Sequence, residues 1–210
     1  MIKGEVERIR TAMADLCEPL HDAFSWAEQK RQRRLPELDS RIYRWHGTHT
    51  VRAFAHRHLS RANLGVWALS GNHARNGELW LTDSEYRIRV LHGLNDDDVP
   101  PPGHNQQRRA FYHNLPLPQH FQEPLQGPAN DQLLALWRID PRTAAPFFRV
   151  VRPIGTWSFG AQAKTDLDFL LPATGAELHE LHFEPQDEGL ELQLPREENG
   201  DVNDAGGISS

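Results

Sequence analysis

The stretch YRIRVLHGL, residues 86–94, alternates apolar and charged side chains over its first five positions. A strand turns successive side chains to opposite faces, so Tyr86, Ile88 and Val90 share an inward face and Arg87 and Arg89 an outward one. The pattern predicts a strand with a core side and a wet side. It also marks a change of period, because the chain before residue 64 repeats every three or four residues.

In that first part Ile2, Val6, Ile9, Met13, Leu16, Leu20, Phe24 and Ala27 draw one stripe along a helix. Pro19 lacks a backbone donor and crowds the preceding turn, so a kink or a break into two helices is expected near Glu18. Arginines and Pro36 in QKRQRRLPELD close the segment, cations suiting the negative end of the helix dipole. The next helix is TVRAFAHRHLSRAN, residues 50–63. At about 100° per residue, Val51, Phe54, Ala55, His58, Leu59 and Ala62 fall on one face, and Arg52, His56 and Ser60 on the other. His58 is therefore expected to be buried and His56 solvated.

Beyond residue 64, LGVWAL (64–69), ELWL (78–81), LLALWRID (133–140), FFRVVRPIG (147–155), DLDFLLP (166–172), ELHF (180–183) and LELQL (190–194) join the opening stretch as strands. PRTAAP, with Asp140 before it, makes a hairpin of the fourth and fifth runs. Helices followed by seven or eight short strands give an α+β fold, the N-terminal helices packed on a mainly antiparallel or mixed β-sheet. We read residues 1–195 as one domain, 1–62 helical and 64–195 mainly β. A Pro-rich loop at 99–128 holds seven of the fifteen prolines, and 196–210 is expected to be an acidic disordered tail.

Charge is uneven: 12 basic against 8 acidic residues in 1–65, 10 against 9 in 66–165, and 1 against 12 in 166–210. A mildly basic start is compatible with nucleic acid as a partner but lacks a concentrated basic patch. The mean hydropathy of −0.65, the charged first ten residues and apolar runs far shorter than a bilayer is thick predict a soluble cytoplasmic chain without membrane contact. Cys17, the one cysteine, lies on the apolar stripe, where a thiol is inert.

Twelve histidines raise the question of a metal site. Helical metal pairs sit four residues apart, whereas His46 with His49, His56 with His58 and His179 with His182 do not, so no metal ligands are assigned. The residues identify no cofactor. Carboxylates offer a catalytic possibility: Asp96, Asp97 and Asp98 follow a strand, and Lys164, Asp166 and Asp168 open another, with the two aspartates on one face. Such oxygen ligands suit Mg²⁺ and would make a metal-dependent nuclease or phosphodiesterase.

The richest polar groups lie in two loops, SGNHARNG (70–77) and GHNQQRRAFYHN (103–114). Asn72, His73, Arg75 and Asn76 in the first, and His104, Asn105, Arg108, Arg109 and His113 in the second, are donors and acceptors suited to binding. The leading expectation is a non-enzymatic binding or regulatory protein with a macromolecular partner, protein first and nucleic acid second; the metal-dependent enzyme is the alternative.

Overall fold

The computed structural model describes residues 2–38, 41–94, 98–114 and 131–181. The fold is α+β, and the described residues form two long N-terminal helices, a six-stranded mixed sheet and two short helices.

Helix α1 spans Ile2–Arg34, with Glu5 in its first turn and Arg31, Arg33 and Arg34 in its last, each sign matched to the dipole. It does not break at Pro19. Leu16, Cys17, Leu20, Ala23 and Phe24, which flank the proline, are all fully buried, and packing on both sides of Pro19 outweighs the lost backbone bond. Helix α2 (Arg44–Leu59) packs on α1 and buries Val51, Ala55 and Leu59.

Its two histidines depart from the expectation of one buried and one solvated. His58 and His56 are both half-buried, because each meets a ring the periodicity does not reveal. His58 lies 5.1 Å from Trp26 of α1, and His56 stacks 3.9 Å from His73 of the following loop.

The strands are β1 (Ala68–Ser70), β2 (Trp80–Thr82), β3 (Tyr86–His92), β4 (Asp131–Ile139), β5 (Pro146–Ile154) and β6 (Lys164–Leu171). Their spatial order is their chain order, and every pair is antiparallel except β3 with β4. The β4–β5 hairpin turns at Asp140, whose Oδ1 accepts from the Arg142 and Thr143 amides. The strand expected at 180–183 begins instead as the end of helix α4 (Gly175–Glu180); Thr174 caps it, accepting from the Glu177 amide. The expected strand at 190–194 and the tail at 196–210 lie outside the described residues.

Alternation in β3 sorts its side chains as its sequence implies: Tyr86, Ile88 and Val90 are buried and Arg87 is exposed. That inner face joins Leu133, Ala135, Trp137, Phe148 and Val150 under α1, α2 and α4. Phe24 fills the centre, 4.7 Å from Trp137 and 5.1 Å from Phe148.

On the opposite face, Phe111 and Tyr112 pack over Leu134, Leu136 and Val151. Burial from both sides explains why LLALW and FFRVV are continuous apolar runs rather than alternating ones. Within the crossover from β3 to β4, Asn114 is stapled to the sheet. Its amide donates to the Gln132 and Pro153 carbonyls, each at 2.7 Å, and accepts from the Gln132 amide.

Among the described residues no helix is long and apolar enough to cross a membrane.

Candidate functional site

The outer face of β3 carries Arg87 and Arg89, and their register places them opposite Thr82 and Trp80 of β2. Both guanidinium groups lie over the Trp80 ring, 4.5 Å and 5.4 Å from its centroid. A cation over an indole face is attracted by the ring quadrupole, so the strand arginines are held against the sheet.

From one side Gly71 presses on the same indole: with φ +88, it leaves no room for a side chain, since a Cβ there would fall 2.3 Å from Trp80 Cδ1. From the other side comes Phe111 of helix α3 (Gln106–Phe111), edge-on at 4.9 Å.

Helix α3 joins Trp80 to a second group of rings. Arg109 donates to the Trp157 carbonyl and lies 6.0 Å from that ring, while His104 stacks on Phe159 at 5.1 Å and an interplanar angle of 20°. Phe159 is 79% exposed, the most open aromatic side chain of the described residues. Asn105 caps α3 by accepting from the Arg108 amide, which fixes the direction in which Arg108 and Arg109 leave the helix.

Arg87, Arg89, Arg108 and Arg109 form no ion pair among the described residues. Burial first, and then the neighbouring Arg108 guanidinium, hold Arg89 below the usual arginine range. Like charges kept close favour an anion from outside, although Glu78 acts on Arg89 in the opposite sense without pairing with it.

The expected binding residues divide into two sets. His104, Asn105, Arg108, Arg109 and the exposed His113 belong to this face or border it. Asn72, His73, Arg75 and Asn76 are part of a separately tied turn. His73 stacks on His56 and its Nδ1 meets the Glu78 carbonyl; Asn72 accepts from the Ala74 amide; Asn76, at φ 53, gives its carbonyl to Arg52. Arg75 is exposed. The two loops approach each other through Gly71, Trp80 and Phe111, not through the residues first singled out.

Among the described residues Asp98, Lys164, Asp166 and Asp168 are not gathered into one metal site. Asp96 and Asp97 lie outside the described residues, Asp98 is half-buried after β3, and Lys164 is exposed at the start of β6. Asp166 and Asp168 do not act on one face. Arg152 pairs with Leu167 and Pro153 with Thr165, so Asp166 is the extra residue of a bulge. Asp166 bonds Arg152 at 2.7 Å, whereas Asp168 bonds Arg149 at 2.7 Å, and these arginines point to opposite faces of β5. Among the described residues no three His, Cys, Asp or Glu side chains are grouped as metal ligands. The Cys17 thiol is buried, and burial pushes its pKa up to about 12.

Sequence reasoning passed over Trp80, Arg87, Arg89 and Phe159. The signal for the first three was present: the alternation of YRIRV puts two arginines on one face, beside a strand that brings a tryptophan. No protein-family model, curated protein or solved structure matches this chain.

Proposed function

We propose that the chain is a non-enzymatic binding protein whose arginine and aromatic face engages a single-stranded nucleic acid. The observation that carries this reading is the set of four arginines with no ion pair among the described residues, interleaved with Trp80, Trp157 and Phe159. Single strands are held by cations that follow the backbone and by rings on which bases stack, a combination tolerant of sequence. Phe159 supplies an open ring, and Arg87, Arg89 and Arg108 supply charge for phosphates. A protein partner finds less support, because the apolar stripe of α1 is covered and offers no docking face: Val6, Ile9, Met13 and Leu16 are at most 3% exposed.

The test is a fluorescence-anisotropy titration of the full chain with a labelled oligothymidylate and an oligouridylate at low salt. Saturable binding is expected, weakened by about tenfold in Arg87→Ala/Arg89→Ala and again in Phe159→Ala, since a stacked base contributes about 1–3 kcal/mol. Absence of binding at about 50 mM salt, where phosphate contacts are strong, overturns the reading. So does binding indifferent to these substitutions.

A further inference from the structure

A second site lies away from the arginine face, on the helix-bearing side of the sheet. It is a cleft of about 610 Å³ between the end of α1, the start of α2 and the β4–β5 turn. Ligand pockets commonly enclose about 300–1,000 Å³, so the space suits a small molecule.

Its position follows from the one parallel pairing in the sheet. β3 and β4 finish side by side, and the chain leaves them in different directions, through Gly93 and Leu94 in one case and Asp140 and Pro141 in the other. A crevice at the carboxyl ends of neighbouring parallel strands is where open sheets take their ligands.

The lining is specific. Trp137, 1% exposed, forms part of the wall, and its Nε1 is buried with no hydrogen-bond partner among the described residues. A buried indole N–H without an acceptor costs stability unless something entering the cleft supplies one. His92 stands edge-on to Trp137 at 4.8 Å. Burial, followed by Arg52 and Arg44, holds its imidazole below the ordinary 6.5, which favours the neutral ring with its one donor and one acceptor.

Arg44 reaches in from the first turn of α2 and has no ion pair among the described residues. The buried carboxylate on the wall, Glu28, cancels none of that charge, because Arg31 binds it through two nitrogens at 2.7 Å and Gln32 adds a third bond at 2.8 Å. Leu38, Tyr43, Ile139 and Pro141 add apolar wall, and Thr48, Arg138 and Asp140 line it as well, the Asp140 carboxylate being engaged through Oδ1 by the Arg142 and Thr143 amides.

We propose that this cleft binds a small organic anion with a flat apolar body, its carboxylate or phosphate accepting from Trp137 Nε1 and pairing with Arg44. The site is independent of the nucleic-acid face, and either can fail without the other.

The experiment uses three probes with one ring and different head groups: benzoate, phenyl phosphate and benzyl alcohol. Each is titrated into the ¹⁵N-labelled full chain while the indole N–H resonances are followed. The Trp137 resonance is assigned by its disappearance in Trp137→Phe or, where that variant does not fold, by its contacts with the His92 ring.

A saturable shift of that resonance is expected with at least one anion, and the stronger of the two identifies the head group. Arg44→Ala, a change at an exposed residue, should weaken the anion by about tenfold, the usual scale of a lost charge-assisted bond. The proposal is overturned if neither anion shifts the Trp137 resonance saturably. It is equally overturned if benzyl alcohol does so as strongly as the anions, or if Arg44→Ala binds them as the parent chain does.

Discussion

Arg152 and Asp131 form an ion pair that water does not reach: Nη2 lies 2.9 Å from Oδ1, and the two side chains are 0% and 4% exposed. The pair joins neighbouring strands, and Asp166 meets the same guanidinium from β6 through Nη1. One cation therefore ties three strands at the end of the sheet beneath the start of α1, where Arg8 adds a longer contact to Asp131 at 3.7 Å. Removing one member of a buried pair leaves charge unpaired in a poor solvent, at a cost of about 3–5 kcal/mol. Arg152→Met should lose about that much in urea unfolding. A loss below about 1 kcal/mol would show that the two aspartates find other partners without strain.

That network also shows where reading the sequence stops. The alternation of DLDFLL does place Leu167 and Leu171 in the core, and it suggests that Asp166 and Asp168 share a face. A bulge separates them, and a bulge is a property of two strands in register, which one strand's sequence does not contain. The helices were legible for the converse reason: the stripe of α1, from Ile2 to Ala27, repeats through about seven turns, and no neighbour has to be known to see it. α4 announced itself in Thr174 and Glu177, spaced as a helix cap and its partner, but six residues give too short a stripe to be noticed. The anion cleft could not be foreseen at all, since it depends on β3 and β4 lying parallel after a long crossover. In the arginine face, Arg108 and Arg109 were recognisable as loop polar groups. Arg87 and Arg89 looked like the ordinary wet side of a strand until Trp80 was placed beneath them.

Gly71 tests whether the Trp80 ring must be held in place. Gly71→Ala adds a methyl group where the indole already sits, at a backbone angle that disfavours any side chain. A stability loss of about 1–3 kcal/mol is expected, with a change in the near-ultraviolet circular dichroism as the ring shifts. Oligonucleotide affinity should fall in the same variant, because Arg87 and Arg89 lose the surface that positions them. An unchanged spectrum would mean that Trp80 is not fixed by this contact.

Salt dependence measures how many phosphates the face neutralises. Four arginines acting on a single strand correspond to a slope of about −3 in the logarithm of affinity against the logarithm of salt, at about 0.7 per phosphate. Arg108→Ala should make that slope shallower by roughly 0.7. A slope near zero for the parent chain would indicate that stacking alone, or nothing specific, accounts for the binding.

The pH dependence of stability follows from four histidines that the fold keeps from charging: His49, lowered by burial and then by Arg52 and His46, and three others. Burial is the main cause at His21, His56 and His92, each held below the ordinary 6.5, with His73 adding to the effect at His56 and Arg52 and Arg44 at His92. A histidine with a lowered folded-state pKa takes up its proton in the unfolded chain first. Stability is then full above pH 6.5 and is lost as pH falls through that value, before most carboxylates titrate. Urea midpoints measured from about pH 7.5 down to about pH 5 should decline steadily. His92→Phe keeps an aromatic edge against Trp137 and removes one titrating group, so its decline should be shallower than the parent's. Midpoints that stay level or rise on acidification would show that these rings gain protons as readily in the folded chain as in the unfolded one.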